Sequence, residues 1–317
     1  MTYAANQKIQ ASDFNGLIGT GTTANAFNTV WSTGSSTAGY GQTALSSVTA
    51  GTKVAASDWA SLVTKVANVA AHQGTAVTSL TAPVSGGKIS YLSALPINIQ
   101  SIYSSRNNAA AQGTTSATTT TNSSTWNQAI TFTHTVTFAS GDAARYFFNA
   151  GGQIKLTFSH PTGGGVDALY SALASACGTV VLSAPSTGTV TIAGTSYNGV
   201  TKIGGLGTTS VLTQNVGYYG LTSTFQNIFQ QLATGSPTGY VGSLISVSAK
   251  TNGSTGSNGD NGSVITFTTL WDEVPDGGST LPLSSGSTTT VTVVPPASTY
   301  ITSTWGTPTV SGSVTGA

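Results

Sequence analysis

The sequence predicts a mainly β protein with some α, in which a β-sandwich-type C-terminal module is preceded by a helix-containing N-terminal module. Three observations carry this. From residue 130 onward, apolar and hydroxyl residues alternate with period two, the spacing of half-buried strands. Before residue 111 the apolar residues recur at helical spacing instead. Between these stretches, residues 112–124 (QGTTSATTTTNSS) hold no apolar side chain except Ala117 and read as a linker. The expected division is 1–111, a linker at 112–124, and 125–317.

The first module contains a short repeat. Lys8-Ile9-Gln10-Ala11-Ser12-Asp13-Phe14 recurs as Lys53-Val54-Ala55-Ala56-Ser57-Asp58-Trp59, and each copy is followed by an apolar pair, Leu17-Ile18 or Leu62-Val63. The short apolar stretch that begins each copy reads as a brief extended segment. Ser12 and Ser57 are candidate N-caps, with Asp13 and Asp58 beside the positive end of the helix dipole. Trp59, Leu62, Val63, Val66, Val69 and Ala70 share one face, which predicts a helix over 58–72 with Gly74 as its stop. The first copy is the poorer helix, because Gly16, Gly19 and Gly21 each cost about 1 kcal/mol against Ala. A third helix is expected over 96–110, with Ile99, Ile102 and Tyr103 inward.

In the second module Ile130, Phe132, His134, Val136 and Phe138 alternate with Thr131, Thr133, Thr135 and Thr137, a strand with one buried and one hydroxyl face. Asp142 and Arg145, three apart, can pair across a turn of a short helix that directs Tyr146, Phe147 and Phe148 toward the sheet. Gly151-Gly152 then permits a positive φ and a reversal into the strand of Ile154, Leu156 and Phe158. Further strands are expected at 180–183, 190–193, 244–249, 264–270 and 291–294, punctuated by Gly, Asn and Pro as in a sandwich. Two helical interruptions are expected at 166–176 and 222–232. Residues 251–262 (TNGSTGSNGDNG) read as a long flexible loop.

Composition excludes several functions. Of 317 residues only 17 are charged, nine Lys or Arg and eight Asp or Glu, where an average chain of this length carries roughly 80. Nucleic acid and anionic lipid both require clustered cations, so neither is an expected partner. Hydroxyls replace the charges, with 56 Thr and 42 Ser. The single Cys177 excludes an intramolecular disulfide and reads as a small core residue. No signal peptide and no run of about 20 apolar residues is present, so neither export nor membrane insertion is expected. Asn122, Asn252 and Asn261 each begin an Asn-X-Ser triplet, which without export is loop chemistry only.

The sequence assigns no catalytic residue, no cofactor or cofactor-binding residue and no metal ligand, and it leaves ligand-binding residues open. His72, His134 and His160 are too far apart for a short metal motif; His134 reads as a core histidine, and His72 ends a helix where its cation suits the dipole. Asp272, Glu273 and Asp276 form the one carboxylate cluster, beside Pro275 and Gly277-Gly278, and read as a solvated turn. A calcium site there or around Asp260 is the alternative. Gly19-Thr20-Gly21-Thr22-Thr23-Ala24 matches a loose dinucleotide pattern but follows an expected helix and not a strand, and no acidic residue appears until Asp58.

Asp142-Ala143-Ala144-Arg145-Tyr146-Phe147-Phe148-Asn149-Ala150-Gly151-Gly152-Gln153-Ile154, within Trp126 to Ser159, resembles a segment of virion structural proteins of tailed phages, notably phages of aquatic bacteria such as cyanobacteria. Ser257 to Phe267 (SNGDNGSVITF), Thr304 to Pro308 (TWGTP) and the two N-terminal repeats resemble other regions of the same proteins. The resemblance implies a tail, neck or fibre component located in the virion and made in the host cytoplasm. It implies partners that are other virion proteins and copies of itself, and it transfers no catalytic residue. The N-terminal module would dock to the particle. The alternative is a receptor- or glycan-binding fibre module, with Tyr218, Tyr219, Tyr240, Trp271 and Trp305 as sugar-stacking candidates if they are not core. A polysaccharide depolymerase would need a carboxylate pair, for which only the cluster near Glu273 is available. The strands carry almost no charge to guard sheet edges, so either another subunit or the chain's own helices and loops must cover them.

Overall fold

Both copies of the N-terminal repeat open a helix by the same device in the computed structural model, which describes residues 10–19, 25–86, 93–207, 209–234, 239–240 and 242–316. Helix α1 spans Ala11–Ile18 and α3 spans Ala56–Gln73, with the short α2, Phe27–Trp31, between them. The capping group is the third-position carboxylate, and neither Ser12 nor Ser57 is the cap. Asp13 accepts the Gln10 backbone N–H at 2.7 Å and Asp58 accepts that of Ala55 at 2.9 Å, which is half of a capping box. Gly74, at φ +68°, ends α3 as expected. Lys8-Ile9 and residues 20–24 of the Gly-rich pattern lie outside the described residues.

Helix α4, Ala94–Ser104, buries Ile99 and Ile102 but leaves Tyr103 half-buried, and it stops well before residue 110. The backbone beyond it is used elsewhere. Ala109 N–H donates to Thr191 O, and Ala193 N–H donates to Ala109 O, so this segment pairs with a hairpin and cannot continue the helical ladder.

The sandwich has two antiparallel sheets. The five-stranded one runs β1 (Ser116–Thr121), β12 (Thr288–Val294), β3 (Gln153–Ser159), β4 (Thr179–Leu182), β7 (Val200–Ile203). The six-stranded one runs β13 (Thr309–Thr315), β2 (Ala129–Thr137), β11 (Val264–Asp272), β10 (Leu244–Thr251), β9 (Gln226–Leu232), β8 (Val211–Leu212). A hairpin, β5 (Val190–Ile192) with β6 (Thr195–Tyr197), stands apart. Alternation sets the register: Ile130, Phe132, His134 and Val136 face inward opposite Trp271, Thr269, Phe267 and Ile265. Helix α6, Val166–Cys177, falls where an interruption was expected and bridges β3 to β9 and β10. Cys177 is buried in it, and burial pushes its thiol up to about 12.

Two expectations fail for identifiable reasons. Residues 116–121 are not linker but the edge strand β1, whose Thr119 hydroxyl pairs with Thr290 of β12 at 2.8 Å. Thr has the strand propensity for this role, and an edge needs only one neighbour. Residues 226–232 are strand, not helix. A bulge opposite Val247 and Ser248 lets consecutive Ile228 and Phe229 both point inward, which imitates helical spacing.

The N-terminal helices and the sandwich share one continuous hydrophobic core, from Phe14 and Trp59 through Phe147 and Phe148 to Trp305. The short helix α5, Gly141–Asn149, lies where they meet, and Ser140 caps it by accepting the Ala143 N–H. Phe147 and Phe148 are fully buried, while Tyr146 turns away and packs on Arg145 and Gly41. Gly151 adopts φ +90°, and a Cβ there would lie 2.5 Å from the Ala109 Cβ. Gly152 has no positive φ, but its Cβ would meet the Phe147 ring at 2.5 Å. Gly151→Val is therefore expected to reduce the yield of folded protein sharply, as read by the soluble fraction and near-ultraviolet circular dichroism.

Candidate functional site

A polar constellation centred on Arg145 lies at the junction of helices and sandwich. The Arg145 side chain is fully buried. Nε donates to Asp142 at 3.0 Å, and the guanidinium also donates to the backbone oxygens of Ala38 and Thr33, both at 2.6 Å. One turn on, Asn149 Nδ2 donates to Ser36 O and Gly39 O, while its Oδ1 accepts Asn107 Nδ2 and the Tyr219 hydroxyl. A helix that exposes Asp142 at one end and buries Arg145 and Asn149 thus grips the 32–42 segment through its carbonyls. The expected Asp142–Arg145 pair forms, but it is not a surface pair.

The 251–262 loop joins the same junction and is tied down by hydrogen bonds. Asp260, nearly buried, accepts the backbone N–H groups of Thr255, Gly256 and Gly262. Burial would raise this carboxyl, and those hydrogen bonds hold it below the usual range. Gly141 is required beneath it, because a Cβ would come within 2.2 Å of Asp260 Oδ1. Asn258 Nδ2 donates to Asp142 at 2.7 Å, and Ser36 N–H donates to Asn258 O. From the C-terminal side, Gln42 exchanges hydrogen bonds with Thr302, and the Thr304 hydroxyl donates to Tyr40 O. Segments 142–154, 257–262 and 302–305 therefore meet on residues 32–42.

A second constellation escaped sequence reasoning. His160 contacts Ser287 Oγ through Nδ1 and Asp167 Oδ1 through Nε2, both at 2.9 Å. Ser287 Oγ also accepts Trp126 Nε1–H; in its contact with His160 the donor is set by the ring tautomer. Asp167 further accepts Ser284 N–H and its hydroxyl. Burial alone would raise Asp167, but its partners hold it low. The order Ser–His–Asp resembles a hydrolase triad, yet Ser287 has no exposed surface and touches the other ring nitrogen. It ties β3, α6 and β12 together. Members at 160, 167, 284 and 287 leave no local spacing signal.

The remaining sequence candidates are structural or scattered. Glu273 is not in a solvated turn; it is buried, accepting Leu281 N–H and Gln128 N–H. Glu273→Gln places an amide against one of these donors and is expected to cost about 1–3 kcal/mol in denaturant unfolding. Burial raises the half-buried Asp272, and Asp276 is exposed. Among the described residues no three His, Cys, Asp or Glu side chains gather as a metal site, and no helix is long and apolar enough to cross a membrane. Tyr218, Trp271 and Trp305 are core; Tyr219 and Tyr240 are half-buried.

His72 and His134 are both buried, and burial lowers each to about 4. His72 is thus held neutral against Ala150 O and is not a cation on the α3 dipole. His134 bonds the Thr120 hydroxyl at 2.9 Å. The unfolded chain binds protons at these residues near pH 6.5 and the folded chain does not, so stability is expected to fall as pH drops from 6.5 to 4. Asp272 opposes this weakly, since its raised carboxyl protonates earlier in the folded state. The combined loss is on the order of several kcal/mol, measurable as denaturant midpoints across that range; His72→Gln should flatten the curve.

In comparison with known proteins, no family model, no curated protein and no solved structure matches the chain.

Proposed function

We propose that the chain is a structural protein of a tailed-phage virion, a tail, neck or fibre component that acts through subunit–subunit assembly. One observation carries the reading: the three segments that resemble parts of such virion proteins converge on residues 32–42, through Arg145 to Thr33 and Ala38, Asn258 to Ser36 and Thr304 to Tyr40. Their Arg, Asn and Asp side chains are committed to holding backbone, which fits a structural role. A surface that solvates through hydroxyls also responds little to salt. On this reading the chain is not an enzyme. The glycan-binding alternative loses Tyr218, Trp271 and Trp305 as stacking platforms, because they are core.

The test is immunogold labelling and mass spectrometry of gradient-purified phage particles from lysed host cells. The chain should co-purify with particles and label a fixed position on them. Recovery only in the soluble host fraction would overturn the reading.

A further inference from the structure

The two sides of the sandwich are finished differently. On one side the sheets end in β7 and β8, four and two residues long, with Lys202 on β7. On the other they end in β1 and β13, six and seven residues long. Strands β1, β2, β12 and β13 contain no Asp, Glu, Lys or Arg, and neither does any residue from 277 to 317. Among the described residues strand β13 hydrogen-bonds only β2, in unbroken register from Thr309 opposite Thr137 to Thr315 opposite Thr131. It has no Pro and no bulge, so a seven-residue edge stands without the usual protections.

Its sequence identifies the occupant. Thr309-Val310-Ser311-Gly312-Ser313-Val314-Thr315 reads the same in both directions. An antiparallel partner related by a two-fold axis through Gly312 therefore meets identical chemistry at every position. Thr309, Ser311, Ser313 and Thr315 are exposed, and across the axis they form Thr–Thr and Ser–Ser pairs that can hydrogen-bond. Val310 and Val314 are half-buried against the core, and the axis sets each opposite the other's counterpart, extending that apolar row. Gly312 fits the centre, since its inner side is already filled by the Thr120 hydroxyl and the His134 ring. No charge is repeated across the axis.

We propose that β13 pairs with β13 of a second copy, joining two six-stranded sheets into one across a two-fold axis at Gly312. This rests on the assembly role proposed above and names one of its interfaces. A single strand pair is a small contact, so the dimer is expected to be reversible and concentration-dependent.

Sedimentation of the full purified chain tests it. Ser311→Lys/Ser313→Lys sets Lys opposite Lys twice and should weaken the dimer by at least about tenfold, with thermal melting of the monomer unchanged because both positions are exposed. Mixing that chain with Ser311→Glu/Ser313→Glu should restore a heterodimer, which separates a pairing defect from a folding defect. Ser311→Cys and Ser313→Cys should cross-link with each other on oxidation, and poorly each with itself, because the axis sets 311 opposite 313. A wild-type chain monomeric at every concentration, a dimer indifferent to the Lys variant, or cross-links without this register would overturn the proposal. Absence of the chain from particles would sink the virion reading and leave the dimer; a monomer would sink the dimer and leave the virion reading.

Discussion

Arg145→Ala is expected to destabilise the protein by about 3–5 kcal/mol, close to the largest loss that a single substitution produces. The guanidinium has no exposed surface and donates to the carbonyls of Thr33 and Ala38 as well as to Asp142. Removing it orphans those oxygens, each at a cost of roughly 1–3 kcal/mol if buried, and leaves a void at the junction. Asp142 is spared the worst, because its side chain is 32% exposed and accepts Asn258. Were this an exposed three-apart helix pair, the loss would be only about 0.2–0.5 kcal/mol. Arg145→Lys keeps the charge but not the fork, and should recover little of it. Urea midpoints of the three proteins decide the matter; a loss below about 1 kcal/mol for the Ala variant would show that residues 32–42 find other donors.

Phe148→Ala is expected to cost a similar 3–5 kcal/mol through packing alone. Its ring stacks on Tyr218 at 4.5 Å and 11°, and meets Phe147 edge-on at 5.1 Å. Tyr218 in turn donates its hydroxyl to Gly262 O and accepts Asn261 N–H, so the loss should spread into the 251–262 loop. Hydrogen exchange of the Gly256 and Gly262 amides should accelerate in this variant. Unchanged protection there would separate loop order from core order. Phe225→Ala, at a 45% exposed position, is the control and should shift stability little.

Periodicity made most of the strands and α3 readable, because burial on one face is a local property of the chain. It misled at Ile228-Phe229, where a bulge breaks the period, and at 116–121, where an edge strand of hydroxyl residues has no apolar face to advertise it. The polar junction was half legible. The spacing of Asp142 and Arg145 announced a pair, but the burial of Arg145 depends on carbonyls more than a hundred residues earlier. The His160–Asp167–Ser287 network was not legible at all, since its spacing belongs to the fold and not to any motif.

The clasp on residues 32–42 also dictates when the protein can finish folding. Gln42 and Tyr40 are held by Thr302 and Thr304, partners 260 and 264 positions later. On a ribosome adding about 5–20 residues per second, the Tyr40 carbonyl waits on the order of tens of seconds for the Thr304 hydroxyl. Closing so long a loop last is entropically slow. Until then β1 and β2, which carry no Asp, Glu, Lys or Arg, wait for their partners β12 and β13, and slower translation is expected to lower the folded yield, read as the soluble fraction.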